Sequence, residues 1–206
     1  QILDILERSS GGTRPSVDLW IITHSHVDHY GALLKISEDS ALRDRVEIKK
    51  LCYYFPREFR DRGGKYCNIP AIAKMEQIAA ATGAEYLCPS LDGEITLDDL
   101  KLNFIYIPTD CEPLNDKFNS NLCSLVFTVE GKQGRAMITG DAFKINLAII
   151  LESYRGRLAC DVLQLPHHAL CDTGSEEFYR EVDAKTVILP ISIAGDRSMG
   201  TIYYEQ

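Results

Sequence analysis

Two spacings of apolar residues alternate along the chain, and they predict strands and helices in turn. Short runs rich in β-branched residues, bounded by Pro, Gly or Asp, predict strands. Apolar residues at helical spacing between a Pro and a Gly predict helices. The strands are predicted at residues 19–23, 47–55, 100–107, 125–129, 135–139, 162–165 and 186–190. The helices are predicted at residues 2–6, 72–81, 142–154 and 175–182.

The connections between these segments predict the fold class. Residues 130–134, Glu-Gly-Lys-Gln-Gly, carry the glycines of a hairpin turn between two predicted strands. Other strands are separated by a helix, which is typical of parallel pairing. Hairpins beside strand–helix–strand units predict a mixed α/β sandwich rather than a doubly wound sheet. Residues 56–68 predict a polar connection, which is either a solvated loop or a gate over a pocket.

Composition and charge narrow the classes of protein. The chain has 206 residues, 45% hydrophobic and 25% charged, which is the balance of a globular protein and predicts a single domain. Its net charge of −8 disfavours general nucleic-acid binding, although a local metal site could hold one phosphate. No apolar run approaches the roughly 18 residues of a membrane span, so we expect no membrane segment.

The cysteines bear on the compartment. No two of the seven form a Cys-x-x-Cys pair, which disfavours a zinc knuckle and a thioredoxin motif. We therefore expect reduced thiols that pack as small apolar side chains in a cytoplasmic protein. No basic and apolar leader is visible at the first residues, and a leader already removed is the alternative. The cysteines are Cys52, Cys67, Cys88, Cys111, Cys123, Cys160 and Cys171.

All five histidines fall in two clusters, and each cluster directly follows a predicted strand. The first cluster is the sequence His-Ser-His-Val-Asp-His at 24–29, and the second is His-His at 167–168. Imidazole and carboxylate groups suit zinc and similar divalent ions. Alternate residues of an extended chain project to one side, so His24 and His26 can hold one ion together. The alternative is a closed structural zinc site, but such sites are usually rich in cysteine, and none lies near either cluster.

A third element lies between the two clusters. Residues 137–141, Met-Ile-Thr-Gly-Asp, form an apolar strand that ends in Gly-Asp. The two oxygens of the Asp141 carboxylate can bridge two cations, which is one way that paired metal sites are held. The alternative is that Asp141 caps the helix predicted at 142–154.

These motifs, in this order, resemble the metallo-β-lactamase superfamily of hydrolases. The resemblance covers residues 18–190 and is carried by Thr-His-Ser-His-Val-Asp-His-Tyr-Gly-Ala-Leu at 23–33, Thr-Gly-Asp at 139–141 and Pro-His-His at 166–168. With Asn-Leu-Cys-Ser-Leu-Val at 121–126, the chain is more narrowly similar to the β-lactamase-like domain attached to bacterial DNA-uptake channel proteins (ComEC type). Phosphorylcholine-esterase-like hydrolases are close kin. The resemblance implies an αββα sandwich with its site at the open edge between two sheets.

The resemblance also implies a set of metal ligands, with zinc as the default ion, one or two ions per chain, and manganese or iron accepting the same donors. The implied ligands are His24 and His26 for a first ion, Asp28 and His29 for a second, Asp141 as a bridge, and one of His167 and His168 to complete the second site. We favour His167, because it lies where its strand stops. His168 would then contact the substrate or support a metal ligand without binding the ion itself.

Three departures from the family pattern modify these expectations. Where many members have a further histidine, this chain has Asn-Ser-Asn at 119–121, so the first metal site is weak, empty, or completed by Asn121 or water. The usual Gly-Gly after the first motif is Gly31-Ala32 here. No hairpin with Asp-x-Gly precedes Asp18, so we expect a sandwich that lacks its first N-terminal strands, in a chain that is part of a longer one.

The resulting hypothesis is a metal-dependent hydrolase. A hydroxide bound to the metal attacks phosphorus or a carbonyl carbon, Asp28 orients it or carries its proton, and His168 steadies the leaving oxygen. A phosphoester is the first choice of substrate, with a lactone or carboxylic (thio)ester as the alternative. A binding module that has lost the chemistry is the alternative outside enzymes. Redox members are disfavoured, because they usually place an acidic residue where His26 stands. The sequence predicts no oligomeric state.

Overall fold

The computed structural model of the chain describes residues 1–55, 70–108, 120–170 and 174–190. The chain divides into two compact units. The first unit contains Gln1–Ser90 and Ile107–Leu125, and the second contains Leu91–Tyr106 and Val126–Gln206. The polar connection predicted at 56–68 lies outside the described residues, and the single domain stays a prediction.

The described part of the first unit consists of helices and two small sheets. Its helices are α1 (Ile2–Ser9), α2 (Val27–Glu38), α3 (Ser40–Arg43) and α4 (Pro70–Thr82), with a 3₁₀ helix at Ser120–Cys123. Its strands are β1 (Ser16–Val17), β2 (Trp20–Ile21), β3 (Glu47–Ile48), β4 (Lys50–Cys52) and β5 (Glu85–Leu87). Strand β1 pairs with β3, and the other sheet has the order β2-β4-β5. All these pairs are parallel, so the carboxyl ends of β2, β4 and β5 share one edge.

The core of the first unit lies between its two longest helices and the three-stranded sheet. Leu33 of α2, Met75 and Ile78 of α4 and Leu51 of β4 are all at most 1% exposed. Burying side chains of this size stabilises the fold by about 1.5–3 kcal/mol each. The helix predicted at 72–81 is confirmed, and it ends where Gly83 takes a φ of 72°.

The second unit is built on one six-stranded sheet. Its strands are β6 (Glu94–Leu97), β7 (Leu100–Tyr106), β8 (Val126–Gly131), β9 (Gly134–Ile138), β10 (Val162–Gln164) and β11 (Thr186–Ile188). Its helices are α5 (Lys144–Tyr154) and α6 (Glu176–Val182), with a 3₁₀ helix at Pro166–Ala169. The order is β11-β10-β9-β8-β7-β6, antiparallel from β6 to β9 and parallel from β9 to β11. The predicted mixed α/β class is confirmed.

Two local features of this sheet follow from the sequence. The hairpin between β8 and β9 is confirmed, and its antiparallel pairing runs to Gly131 opposite Gly134. Strand β7 is apolar on both sides near its end, and its register with β8 shifts there, between Phe104 and Tyr106. The Phe104 ring packs on Phe127, with 5.6 Å between ring centroids, whereas Ile105 packs in the core with α5.

The sequence-based element bounds need correction in the first unit. The strand predicted at 19–23 comprises only Trp20–Ile21, and the one predicted at 47–55 is two short strands, β3 and β4. Helix α2 was not predicted, because its first turn lies inside the histidine cluster at 24–29 and it contains a glycine, a poor helix former. The short elements α3, β1, β5, β6 and both 3₁₀ helices were also missed.

The cysteines behave as the sequence predicted wherever they are described. Cys52, Cys88, Cys123 and Cys160 are free thiols, and all but Cys88 are buried. Burial raises the pKa of the Cys52 thiol to about 12, so this thiol stays protonated and unreactive. The other three cysteines lie outside the described residues, and the compartment stays a prediction. Among the described residues, no helix combines the length and apolar character needed to cross a membrane.

Candidate functional site

The first cluster of histidines lies where the β2 segment gives way to helix α2. The Ile22 N–H donates to the Cys52 carbonyl across the sheet, and the Thr23 carbonyl accepts a hydrogen bond from the Leu125 N–H. His26 is the extended N-cap residue of α2. The chain therefore turns within this cluster instead of continuing as a strand, which corrects the extended conformation assumed from the sequence.

Two imidazoles of this cluster present nitrogens to each other. Nε2 of His24 lies 3.1 Å from Nδ1 of His26, and the two rings meet at 73° with centroids 4.8 Å apart. His24 is fully buried. Two nitrogens bound to one tetrahedral zinc ion at 2.0–2.1 Å lie about 3.3 Å apart. The separation of His24 and His26 therefore fits a pair of ligands to one ion.

A threonine that the sequence reasoning missed orients two of the rings. The hydroxyl oxygen of Thr23 lies 3.2 Å from Nδ1 of His24 and 3.3 Å from Nδ1 of His29. Partners at one ring nitrogen fix the orientation of an imidazole, so that its other nitrogen faces a ligand. The position of Thr23 directly before the first histidine was the available signal, since side-chain hydroxyls often bond to near neighbours.

The remaining members of the cluster lie in the first turn of α2. A carboxylate oxygen of Asp28 is 3.5 Å from Nε2 of His29. The Asp28 side chain is 56% exposed, whereas that of His29 is only 17% exposed. An acidic residue in a first turn is favourable because the N-terminal end of a helix carries partial positive charge. The Asp28 carboxylate is therefore stabilised by the charge at the end of its helix and remains open to solvent.

The segment without the further histidine belongs to the same unit. Ser120 and Asn121 are buried, in the 3₁₀ helix at Ser120–Cys123. The hydrogen bond from the Leu125 N–H to Thr23 ties the end of this segment to the residue before His24. Asn121 thus has the burial expected of a polar residue with a specific role, and its role as a ligand stays a prediction.

The carboxylate of Asp141 belongs to the second unit, after strand β9. Asp141 is 2% exposed. The Ala142 N–H donates to the Thr139 carbonyl across the turn, in which Gly140 has a φ of 54° that suits glycine. The N-cap residue of α5 is Phe143, so Asp141 does not cap the helix. The capping alternative therefore does not explain why this carboxylate is buried.

The two later histidines lie on an unusual piece of backbone. His167, His168 and Ala169 have φ values of 46°, 54° and 57°, in the left-handed region. That conformation costs roughly 1–2 kcal/mol for each residue with a Cβ and persists only where surrounding contacts fix it. One such contact is the hydrogen bond from the His167 N–H to the Gly140 carbonyl.

The structure distinguishes the two rings. Nδ1 of His168 lies 2.7 Å from the Pro190 carbonyl oxygen, and its Nε2 lies 3.5 Å from a carboxylate oxygen of Asp141. The His167 ring packs instead against the Phe143 ring, with centroids 5.0 Å apart. His168 is thus a neighbour of Asp141. The choice between His167 and His168 as a metal ligand stays a prediction.

Each group of side chains therefore fits a divalent ion by its own geometry. The closest nitrogen–nitrogen and nitrogen–oxygen separations, 3.1 Å and 3.5 Å, are near the spacing of ligands around one ion. The donors are imidazole nitrogens and carboxylate oxygens, which suit zinc, iron and manganese.

The family model described as Metallo-beta-lactamase superfamily matches residues 2–189. No curated protein matches the chain significantly.

Three solved structures show how far the likeness extends. CmlA, a diiron β-hydroxylase from Streptomyces venezuelae, has a TM-score of 0.52 and 11% identity over 86% of this chain and 36% of its own. Zn²⁺-bound PqqB from Methylobacterium extorquens has a TM-score of 0.42 and 14% identity, and the match covers 72% of this chain and 41% of PqqB. A possible metal-dependent hydrolase from Veillonella parvula has a TM-score of 0.47 and 11% identity, and the match covers 89% of this chain and 64% of that protein. The chain spans less than half of the first two proteins, and the likeness to CmlA concerns the fold alone.

Proposed function

The chain belongs to the metallo-β-lactamase superfamily, and on that premise we propose that it is a metal-dependent hydrolase that acts on a phosphoester. The observation that carries the proposal is the pair of nitrogens on His24 and His26, held 3.1 Å apart. Such a separation suits two nitrogen ligands of one tetrahedral ion.

The proposed metal ligands come from both groups of side chains, with zinc as the expected ion. They are His24, His26, Asp28, His29, Asp141 and His168. A bound divalent ion supplies Lewis-acid polarisation of the substrate and lowers the pKa of water from about 15.7 toward 7. We assign His168 rather than His167 to this set because of its distance to Asp141.

Two side chains are proposed to handle protons and substrate. Asp28 is more than half exposed, so it can orient the attacking water, accept its proton and pass that proton to solvent. His167 packs on Phe143 and takes the role of steadying the leaving oxygen, since His168 is assigned to the metal. The catalytic residues are therefore Asp28 and His167, with His168 changed from its first expected role.

The preference for a phosphoester has two supports. A pair of divalent cations compensates the charge of a phosphate, which a neutral lactone does not require. The stretch 121–126 and the two metal motifs also resemble the β-lactamase-like domain of DNA-uptake channel proteins. The imidazole at His26 favours hydrolysis over redox chemistry, because redox members of the superfamily usually carry an acidic residue there.

The test combines metal analysis with a substrate panel. Protein purified without chelators is analysed for bound metals and assayed on bis-p-nitrophenyl phosphate, a lactone set and p-nitrophenyl esters. We expect at least one divalent ion per chain and hydrolysis of the phosphodiester that is lost on chelation and restored by zinc or manganese. Turnover of lactones alone would show that the substrate is a lactone rather than a phosphoester. Less than one ion per chain, with no turnover, would favour a binding module.

A further inference from the structure

The side chain of Gln164, the last residue of β10, joins the two loops that carry the acidic and imidazole groups of the second unit. Its Oε1 accepts hydrogen bonds from the N–H groups of Thr139, at 3.0 Å, and Gly140, at 2.8 Å. Its Nε2 donates to the Gly140 carbonyl at 3.2 Å and to the Leu165 carbonyl. One amide thus holds the residues just before Asp141 and those just before the 3₁₀ helix at Pro166–Ala169.

Only a primary amide satisfies this set of partners. Two N–H groups face one end of the Gln164 side chain and two carbonyls face the other, so one end must accept and the other must donate. A carboxylate would place an acceptor against the carbonyls, and an apolar side chain would leave the N–H groups of Thr139 and Gly140 without this acceptor. Both of those residues are buried, so solvent does not readily take its place.

The same two loops are joined by two further hydrogen bonds. The Thr139 hydroxyl donates to the Gln164 carbonyl at 2.7 Å, and the His167 N–H donates to the Gly140 carbonyl at 3.1 Å. The backbone of Gly140 therefore bonds both to Gln164 and to the loop of the two histidines. A substitution at Gln164 therefore removes contacts of both loops without touching the side chain of Asp141 or His168.

We propose that Gln164 is a positioning residue that sets the spacing between the Asp141 carboxylate and Nε2 of His168 for metal binding. The inference rests on the proposed function, since it assigns both side chains to a metal. Partners that orient metal ligands typically change metal affinity or activity by about 10–100-fold when they are removed. Gln164 differs from such partners because it acts through the backbone of both loops rather than on a ligand atom.

The test uses Gln164→Met, which keeps the length of the side chain and removes its hydrogen bonds. Gln133→Met is the matched control, because Gln133 is exposed in the β8–β9 turn. Zinc affinity is measured by competition with a chelator, well below the unfolding temperature, so that only folded protein is compared. We expect a zinc Kd at least about tenfold higher for Gln164→Met, with kcat lowered and KM little changed, and wild-type values for Gln133→Met.

Two more measurements keep the inference open to failure. In the metal-free protein, the amide hydrogens of Thr139 and Gly140 should exchange faster in Gln164→Met than in the wild type. Gln164→Glu keeps an acceptor for both amides but places a second acceptor against the carbonyls of Gly140 and Leu165, so its zinc Kd should also rise above that of the wild type.

A folded Gln164→Met protein that binds zinc like the wild type, even with a lower Tm, would overturn the positioning role and leave the proposed function intact. A wild-type protein that binds no divalent ion would instead overturn the proposed function, and this inference with it.

Discussion

The two groups of ligand-type side chains are built in different ways. In the first unit, six consecutive residues supply the group, and a strand end and the first turn of α2 give it its shape. In the second unit, Asp141 and His168 lie 27 positions apart on two loops, which hydrogen bonds to Gln164 and Gly140 hold together.

This difference has consequences for stability and for mutation. The geometry of the first group includes contacts among its own residues and with Thr23, so we expect changes far away in the chain to affect it less. The second group depends on three left-handed residues and on a side chain that is not itself a ligand. A group formed by neighbouring residues tolerates distant changes. The geometry of a group that lies on two loops changes whenever the contacts that fix those loops are altered.

We expect the largest effect from a substitution that removes a proposed metal ligand of the first group. His26→Ala should abolish both metal uptake and turnover, because it removes one nitrogen of the pair at 3.1 Å. Val27→Ala is the control, since Val27 is the next residue and is 56% exposed. Metal content by elemental analysis and phosphodiester turnover are the readouts. Full metal loading with activity in His26→Ala would show that the pair of His24 and His26 does not hold the metal.

A second pair of substitutions tests which of the two later histidines binds the metal. His168→Ala should weaken zinc binding by more than the roughly 10–100-fold that loss of an orienting partner causes, because a ligand itself is removed. His167→Ala should bind zinc nearly as the wild type does and lose turnover, since its ring packs on Phe143. Chelator competition and steady-state kinetics measure the two effects. The reverse result would restore His167 as the ligand.

The scaffold of the second unit can be tested without touching its metal-binding side chains. Ile150→Ala should lower the free energy of unfolding by about 2–5 kcal/mol, because Ile150 is fully buried in α5. Ile149→Ala is the matched control in the same helix, where Ile149 is 44% exposed, and should cost far less. Urea denaturation followed by circular dichroism compares the two. Equal losses would mean that α5 does not pack on this core as described.

The smallest expected effect concerns the left-handed loop. Ala169→Gly should raise the free energy of unfolding by up to about 1 kcal/mol, because glycine adopts a φ of 57° without the cost that a Cβ imposes. The same change at the exposed helical residue Ala41 should have the opposite sign. Thermal and urea unfolding of both variants give the signs. A destabilised Ala169→Gly would show that this loop is not strained.

Much of the fold was predictable because the longer elements carry their own signals. Helix α4 begins at Pro70 and ends at Thr82, before a glycine, so local chemistry marks both ends. The short strands β3 and β5 were missed or merged because two or three residues carry no periodicity. Helix α2 was missed because its first turn coincides with a motif that also suits an extended chain.

The candidate site divides in the same way. The spacing of the residues at 24–29 indicates a metal-binding group, because few other roles need four such side chains in six positions. No pattern identified Gln164, since a lone glutamine at a strand end has many ordinary uses. Its importance depends on which backbone groups lie opposite it.

The sequence by itself indicated the superfamily, the mixed α/β class and a set of candidate metal-binding residues, because these depend on residue type and on short-range spacing. Tertiary structure alone decided that His168 is a neighbour of Asp141, that Thr23 contacts two imidazoles, and that Gln164 joins two loops. Such choices depend on backbone direction and on contacts between residues far apart in the chain, and neither is written in local sequence.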